Sequence, residues 1–91
     1  MTSKQESKWT LFAAKVATHI RDYVIPQYGD ESEEPAQEYD ARDCIEQTKR
    51  YMARFGRSSR QGEDRRDLLK AAHWIQKAYD RLPERRADEQ E

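Results

Sequence analysis

The chain has 91 residues, of which 35% are hydrophobic and 38% are charged, so it supplies one small domain with one small core. Seventeen basic and eighteen acidic side chains leave a formal net charge of -1, which excludes the overall positive field that draws proteins onto nucleic acid or anionic membrane. No stretch resembles a signal peptide or a membrane span, and we expect a cytoplasmic protein with neither nucleic acid nor membrane as a partner.

The start of the chain predicts a first helix over residues 4–24. Ser3 and Glu6 have the spacing of a capping box, and apolar residues then recur at helical period. Pro26 should end this helix, because proline has no amide hydrogen and pushes the residue before it out of helical geometry. Residues 27–39 contain five carboxylates and no apolar period, which is typical of an acidic linker.

Two further amphipathic stretches predict an antiparallel helix hairpin over about 41–56 and 63–82. Asp40 is a suitable N-cap, Gly56 a suitable left-handed C-terminal cap, and Pro83 a stop. The short connection leaves the two helices antiparallel. We therefore predict an all-α, three-helix domain over residues 1–83 followed by a disordered, charged tail at 84–91.

The apolar stripes of the hairpin helices are expected to form the core, with Ile45 and Ile75 among the buried residues. A domain of this length gains little more from apolar burial than it loses in chain entropy. We therefore expect a homo-oligomer, in which a second copy of the chain adds buried surface. The single cysteine, Cys44, excludes an internal disulfide and a cysteine-rich zinc site.

An arginine-rich stretch at the tip of the hairpin predicts a phosphate-binding site. Every basic residue between positions 54 and 67 is arginine, whose forked guanidinium group suits phosphate better than lysine does. The free backbone amides at the start of the third helix can add donors, and nearby aromatic rings can stack on a base. The predicted ligand-binding residues are Tyr51, Arg54, Arg57, Arg60, Arg66, Lys70, His73 and Trp74.

Other interpretations of the same residues stay open. Glu63, Asp64 and Asp67 could neutralise the arginines in ordinary surface pairs, each worth less than about 1 kcal/mol. His73 could be a general base, although the sequence identifies neither a nucleophile nor a carboxylate to orient it. These carboxylates could hold magnesium, but they lack the paired Glu-x-x-Glu and Glu-x-x-Asp motifs on two helices that helical nucleoside triphosphate pyrophosphatases show. We predict no catalytic residue, no metal site and no cofactor.

Two runs on the predicted hairpin match a known pattern. Residues 49–56 and 67–74 contain Tyr-x-x-Arg-x-Gly and Asp-Leu-x-Lys-Ala, and they resemble small bacteriophage proteins of unknown function that are often labelled "nucleotide kinase-like". The matching residues are Tyr51, Arg54, Gly56, Asp67, Leu68, Lys70 and Ala71, and Arg50 stands where those proteins have lysine. Residues 19–30 are also similar to hypothetical phage proteins. The resemblance implies a phage origin, and hence the cytoplasm of an infected bacterium, but it brings no Walker loop or kinase motif.

Three functional hypotheses follow from these observations. The first is a binding protein that captures a phosphorylated nucleotide, a cyclic nucleotide or another nucleotide-derived signal, and so counteracts a host defence. The second is an inhibitor of a host protein that acts through its helical faces or its acidic linker. The third is a magnesium-dependent enzyme of nucleotide metabolism. We favour the first and expect no enzymatic activity, because capture needs no acid, base or metal.

Overall fold

A computed structural model of the protein describes residues 2–30, 38–57 and 60–82, and over these ranges the chain is all-α, as predicted. The elements are α1 (Lys4–His19), a π-helical turn (Ile20–Val24), α2 (Ile25–Tyr28), α3 (Ala41–Arg54) and α4 (Glu63–Asp80). The first three run together and form one N-terminal segment over residues 4–28. The middle of the predicted acidic linker and the predicted disordered tail lie outside the described residues.

The first helix does not end before Pro26, contrary to the sequence prediction. It continues to Tyr28 through the π-helical turn, in which the N–H of Ile25 donates to the carbonyl of Ile20, five residues earlier. The wider turn places Pro26 at the start of a new α-helical turn, where a missing N–H does least damage. Gly29, with a φ of 84°, then ends the segment.

The starts of α1 and α3 and the end of α3 are capped as the sequence predicts. Ser3 Oγ accepts from the Glu6 N–H at 3.0 Å, and Glu6 Oε1 accepts from the Ser3 N–H at 2.9 Å. Asp40 and Asp43 form the same reciprocal pair at the start of α3, at 2.8 and 3.1 Å. Gly56 has a φ of 79°, in the left-handed region that a side chain would disfavour. Each cap stabilises its helix by about 1 kcal/mol.

The interior of the hairpin consists of small and polar residues. Cys44, Ala71 and Ala78 are the buried hydrophobic residues among those described, and small side chains of this kind let α3 and α4 approach closely. Buried beside them are the polar residues His19, Thr48, Glu63, Asp67, His73 and Lys77. Thr48 satisfies its hydroxyl locally, because Oγ1 donates to the Cys44 carbonyl at 3.0 Å.

The large apolar side chains of the hairpin are not buried in the single chain, and here the core prediction was wrong. Ile45 is 39% exposed and Ile75 is 51% exposed. The cause is the position of the interhelical contact, which runs through Cys44, Ala71 and Ala78 rather than along the centre of the apolar stripes. Periodicity identifies a shared face, but it does not identify which neighbour that face will contact.

The hairpin therefore has two faces. The inner face packs against the N-terminal segment, and on α4 it presents Arg66, Leu69, Lys70 and His73. The outer face lies on the opposite side and consists of Ile45, Met52, Phe55, Leu68, Ile75, Tyr79 and Leu82, all exposed. Among the described helices, none is both long and apolar enough to cross a membrane.

Candidate functional site

A pocket of about 320 Å³ lies between the end of the N-terminal segment and the inner face of the hairpin. Its size is at the lower end of the range for small-molecule sites. We call it the aromatic pocket. Its lining residues are His19, Tyr23, Val24, Gln27, Tyr28, Tyr39, Gln47, Arg50, Tyr51, Lys70, His73 and Trp74.

The lining of the aromatic pocket has a selective composition. Four tyrosines and one tryptophan supply flat apolar surface, and Arg50 and Lys70 supply permanent positive charge. No aspartate or glutamate is among the described residues that line it, although the chain has eighteen of them. The pocket therefore favours a ligand that combines a flat ring with negative charge.

The aromatic side chains are ordered by mutual stacking and by cations. The Tyr39 and Trp74 rings are stacked, with centroids 5.8 Å apart and planes 25° apart. Lys77 Nζ lies 4.5 Å from the Trp74 ring centroid, and Lys70 Nζ lies 5.3 Å from that of Tyr51. Cation–π contacts of this kind contribute about 0.5–2 kcal/mol each. They hold Lys70 at the pocket while its ammonium group can still donate to a ligand.

Two buried histidines form one wall of the aromatic pocket. His19 is 4% exposed and stacks on Tyr23, with ring centroids 5.6 Å apart. Burial lowers its pKa, and the charges of Lys70 and Arg66 lower it further. Burial, followed by the influence of His19 and Arg81, lowers the pKa of His73 to about 4. Both imidazoles are therefore neutral at neutral pH.

A neutral imidazole has one ring nitrogen that donates and one that accepts a hydrogen bond. His19 Nε2 is buried and has no hydrogen-bond partner among the described residues. Buried polar atoms are rarely left in this state without a ligand or water to satisfy them. His19 and His73 thus line the pocket as neutral polar rings, and Arg50 and Lys70 supply its positive charge.

The structure brings together half of the ligand-binding residues that the sequence predicts. Tyr51, Lys70, His73 and Trp74 all line the aromatic pocket, whereas the four predicted arginines do not. Arg57 and Arg60 are exposed near the turn of the hairpin, on either side of residues outside the described ranges. The predicted site is therefore divided between the pocket and the tip of the hairpin.

Arg54 and Arg66 are engaged with buried carboxylates. Arg54 Nη2 lies 3.5 Å from Glu63 Oε2 and 3.7 Å from Asp67 Oδ1, and Arg66 Nη1 lies 3.3 Å from Glu63 Oε1. Glu63 and Asp67 are only 6% and 1% exposed, so removing an arginine would leave buried negative charge. For these two arginines the geometry agrees with the alternative interpretation, in which nearby carboxylates neutralise the arginines. The same pairs occupy two of the three carboxylates considered for magnesium.

Sequence reasoning missed much of the aromatic pocket. The sequence pattern assigns Arg50 no role in binding. Its position one residue before Tyr51 is the sequence feature that could have placed it in the pocket. Tyr28 and Tyr39 flank the acidic linker in sequence, and in the structure they meet at the pocket. Tyr23 and His19 carry no sequence signal for this role, because their contribution depends on how the N-terminal segment packs against α4.

Comparison with known proteins gave no match: no protein-family model, curated protein or solved structure is similar to this chain. Within the part of the chain that the structure describes, no three histidine, cysteine, aspartate or glutamate residues come together as a metal site. The resemblance to phage proteins stays a prediction. The functional proposal is therefore based on the residues that line the aromatic pocket.

Proposed function

We propose that the protein binds a phosphorylated nucleotide in the aromatic pocket. The observation that supports this most strongly is the combination, in one pocket, of stacking rings, two cations and no carboxylate among the described lining residues. A base would stack on the aromatic rings of the pocket, and Arg50 and Lys70 would bind the phosphate. Gln27, Gln47 and the neutral histidines offer hydrogen bonds to the base and the sugar.

The volume of the pocket favours a mononucleotide or a cyclic mononucleotide. A cavity of about 320 Å³ is near the minimum for a small-molecule site, and a ligand with two bases would extend beyond it. Charge-assisted bonds contribute about 1.5–3 kcal/mol each, and stacking contributes about 1–3 kcal/mol per base. After the entropy lost on binding, we expect micromolar affinity.

The proposed role is capture without turnover. Neutral histidines, stacking rings and cations suffice to hold a nucleotide, and holding it removes it from solution. Together with the resemblance to phage proteins, this supports a role in sequestering a nucleotide signal of a host defence in the cytoplasm of an infected bacterium. We also expect the protein to act as a homo-oligomer, since the single chain buries few apolar residues among those described.

A fluorescence titration tests the proposal directly. The chain has two tryptophans, so Trp9→Phe leaves Trp74 as the reporter in the pocket. We expect mononucleotides to quench Trp74 with micromolar Kd and inorganic phosphate to bind far more weakly, because it cannot stack. Arg50→Glu should weaken nucleotide binding at least tenfold through loss of a charge-assisted bond and added repulsion.

Arg57→Glu is the matched control, because it makes the same charge reversal at the tip of the hairpin. It should change the Kd less than twofold. A larger loss in Arg57→Glu than in Arg50→Glu would move the site to the arginine-rich tip, and the absence of any nucleotide binding would refute the proposal. To identify the natural ligand, protein purified from cells with and without an active nucleotide-signalling defence would be heat-denatured and the released molecules analysed by mass spectrometry.

A protein-directed inhibitor is the second candidate function. The observation in its favour is the exposure of Trp9 and Leu11 on α1, at 64% and 66%, because exposed aromatic and aliphatic residues often mark protein contacts. Binding of a host protein that is lost when residues 30–38 are deleted, in a chain that binds no nucleotide, would favour this candidate.

A further inference from the structure

The outer face of the hairpin is a set of exposed apolar side chains that no other described part of the chain covers. Leu68, Ile75 and Tyr79 follow one another along α4 at intervals of seven and four residues, which places them on one side of the helix. Ile45 and Met52 do the same on α3. Because α3 and α4 are antiparallel neighbours, the two rows lie side by side, on the opposite side of the hairpin from the N-terminal segment.

The outer face holds most of the large apolar side chains of the hairpin. By contrast, the buried hydrophobic residues among those described are one cysteine and two alanines. Burying charged residues such as Glu63 and Asp67 adds cost rather than stability. A single copy of the chain therefore leaves its main source of hydrophobic stabilisation in water.

The area of the outer face matches what one partner contributes to a stable interface. Its seven side chains are between 39% and 72% exposed, and at about 200 Å² for a full side chain of this size they expose about 700 Å² together. A standard specific interface buries about 800 Å² on each partner. Isolated surface residues do not add up to a patch of this extent in a small monomeric protein.

We infer that the outer face is covered by the outer face of a second copy of the chain. Two hairpins packed face to face on a two-fold axis form a four-helix bundle, in which each apolar row contacts its equivalent. A second copy suits this surface because it offers the same area of apolar side chains, and because it is present wherever the chain is made. The aromatic pocket of each chain would then lie on the side of its hairpin that faces away from the dimer interface.

Sedimentation velocity on ligand-free protein tests this inference without reference to nucleotide binding. At tens of micromolar the particle should have twice the 10.9 kDa mass of the chain. Ile75→Glu, which places a charge in the middle of the face, should raise the dimer dissociation constant at least a hundredfold. Leu11→Glu is the matched control: Leu11 is exposed to a similar degree on α1, and its replacement should leave the dimer intact.

A wild-type protein that sediments at the mass of one chain would overturn the inference, and so would a dimer broken by Leu11→Glu but not by Ile75→Glu. Since Ile75→Glu chains could unfold when they cannot pair, hydroxyl-radical footprinting of the wild type gives an independent answer. Met52 and Tyr79 should become several-fold less reactive as the concentration rises from below to above the dissociation constant, while Trp9 should not change. Equal reactivity of Met52 at both concentrations would refute the interface.

Discussion

The inner and outer faces of the hairpin divide the chemistry of the chain between them. The inner face buries histidines and presents tyrosines, Arg50 and Lys70 to a pocket, whereas the outer face presents aliphatic and aromatic side chains to solvent. Large apolar residues thus lie where a second molecule would stabilise the fold, and polar residues lie where a ligand would be recognised. If both proposals hold, one pair of helices serves both purposes by using opposite sides.

The polar interior of the hairpin carries an energetic cost that the outer face would offset. Both carboxylate oxygens of Asp67 are buried without a hydrogen bond among the described residues, and Arg54 is the ion-pair partner of that carboxylate, at 3.7 Å. Buried charge of this kind contributes little net stability even when paired. Substitutions on the outer face should therefore change mainly the stability of the protein. Substitutions on the inner face should change mainly its ligand binding.

The largest expected effect comes from the ion pairs of the hairpin interior. Arg54→Ala would leave Glu63 and Asp67 buried with reduced compensation, and we expect it to lower the free energy of unfolding by about 3 kcal/mol. The measurement is urea denaturation followed by circular dichroism. Arg57→Ala removes an exposed guanidinium nearby and should change stability by less than about 0.5 kcal/mol. Equal stability of the two variants would show that the Arg54 pairs are dispensable.

Ile75→Ala should produce the next largest effect, and its size should depend on protein concentration. Truncating a large aliphatic side chain in an interface that resembles a core costs about 2 kcal/mol or more. At concentrations where the protein is dimeric, the variant should melt at a lower temperature than the wild type. At concentrations where it is monomeric, the two curves should converge, because Ile75 is half exposed in the single chain. A concentration-independent difference would instead place Ile75 in the core of one chain.

The sequence predicted the hairpin well because its determinants are local. The capping residue Asp40, the left-handed glycine at position 56 and the helical periods each act within a few residues. The predicted end of the first helix at Pro26 was wrong, because the π-helical turn that accommodates the proline depends on backbone hydrogen bonds that no residue pattern specifies. The core prediction failed for a related reason, since periodicity does not distinguish a face buried within the chain from one left for a partner.

Only part of the candidate site could be predicted, because the rest depends on how distant segments of the chain pack together. Tyr51, Lys70 and Trp74 lie on two helices whose pairing the sequence indicated, so their proximity followed. Tyr23 and Tyr39 come from segments whose positions depend on packing across the inner face. The high frequency of arginine predicted a phosphate site at the tip of the hairpin. In the structure, however, Arg54 and Arg66 pair with buried carboxylates.

A smaller effect is expected from aromatic substitutions, which compare the two faces in a binding experiment. Tyr39→Ala removes the ring stacked on Trp74 and should weaken nucleotide binding about tenfold, the equivalent of ~1.4 kcal/mol. Tyr79→Ala removes an exposed ring from the outer face and should leave the nucleotide Kd unchanged. The measurement is isothermal titration calorimetry with one mononucleotide. Equal losses in both variants would contradict the assignment of ligand binding to the inner face alone.

The smallest effect should be a loss of stability in mild acid that originates on the inner face. The folded-state pKa of His73 is lowered from 6.5 to about 4, so the unfolded chain takes up a proton at a higher pH than the folded protein does. Stability is therefore fully present above about pH 6.5 and falls as the pH drops toward 4, by at most ~1.4 kcal/mol per pH unit for one proton.

Between about pH 7.5 and 5.5 the wild type should lose about 1 kcal/mol from His73, and His19, whose pKa is also lowered, should add to the loss. His73→Gln should retain only the contribution of His19. Urea denaturation at several pH values measures both slopes. Because His73 stays neutral in the folded protein until the pH approaches about 4, its titration should leave nucleotide affinity almost unchanged between about pH 7.5 and 5.5. Binding that strengthens in acid would show that His73 pairs with the phosphate as a cation.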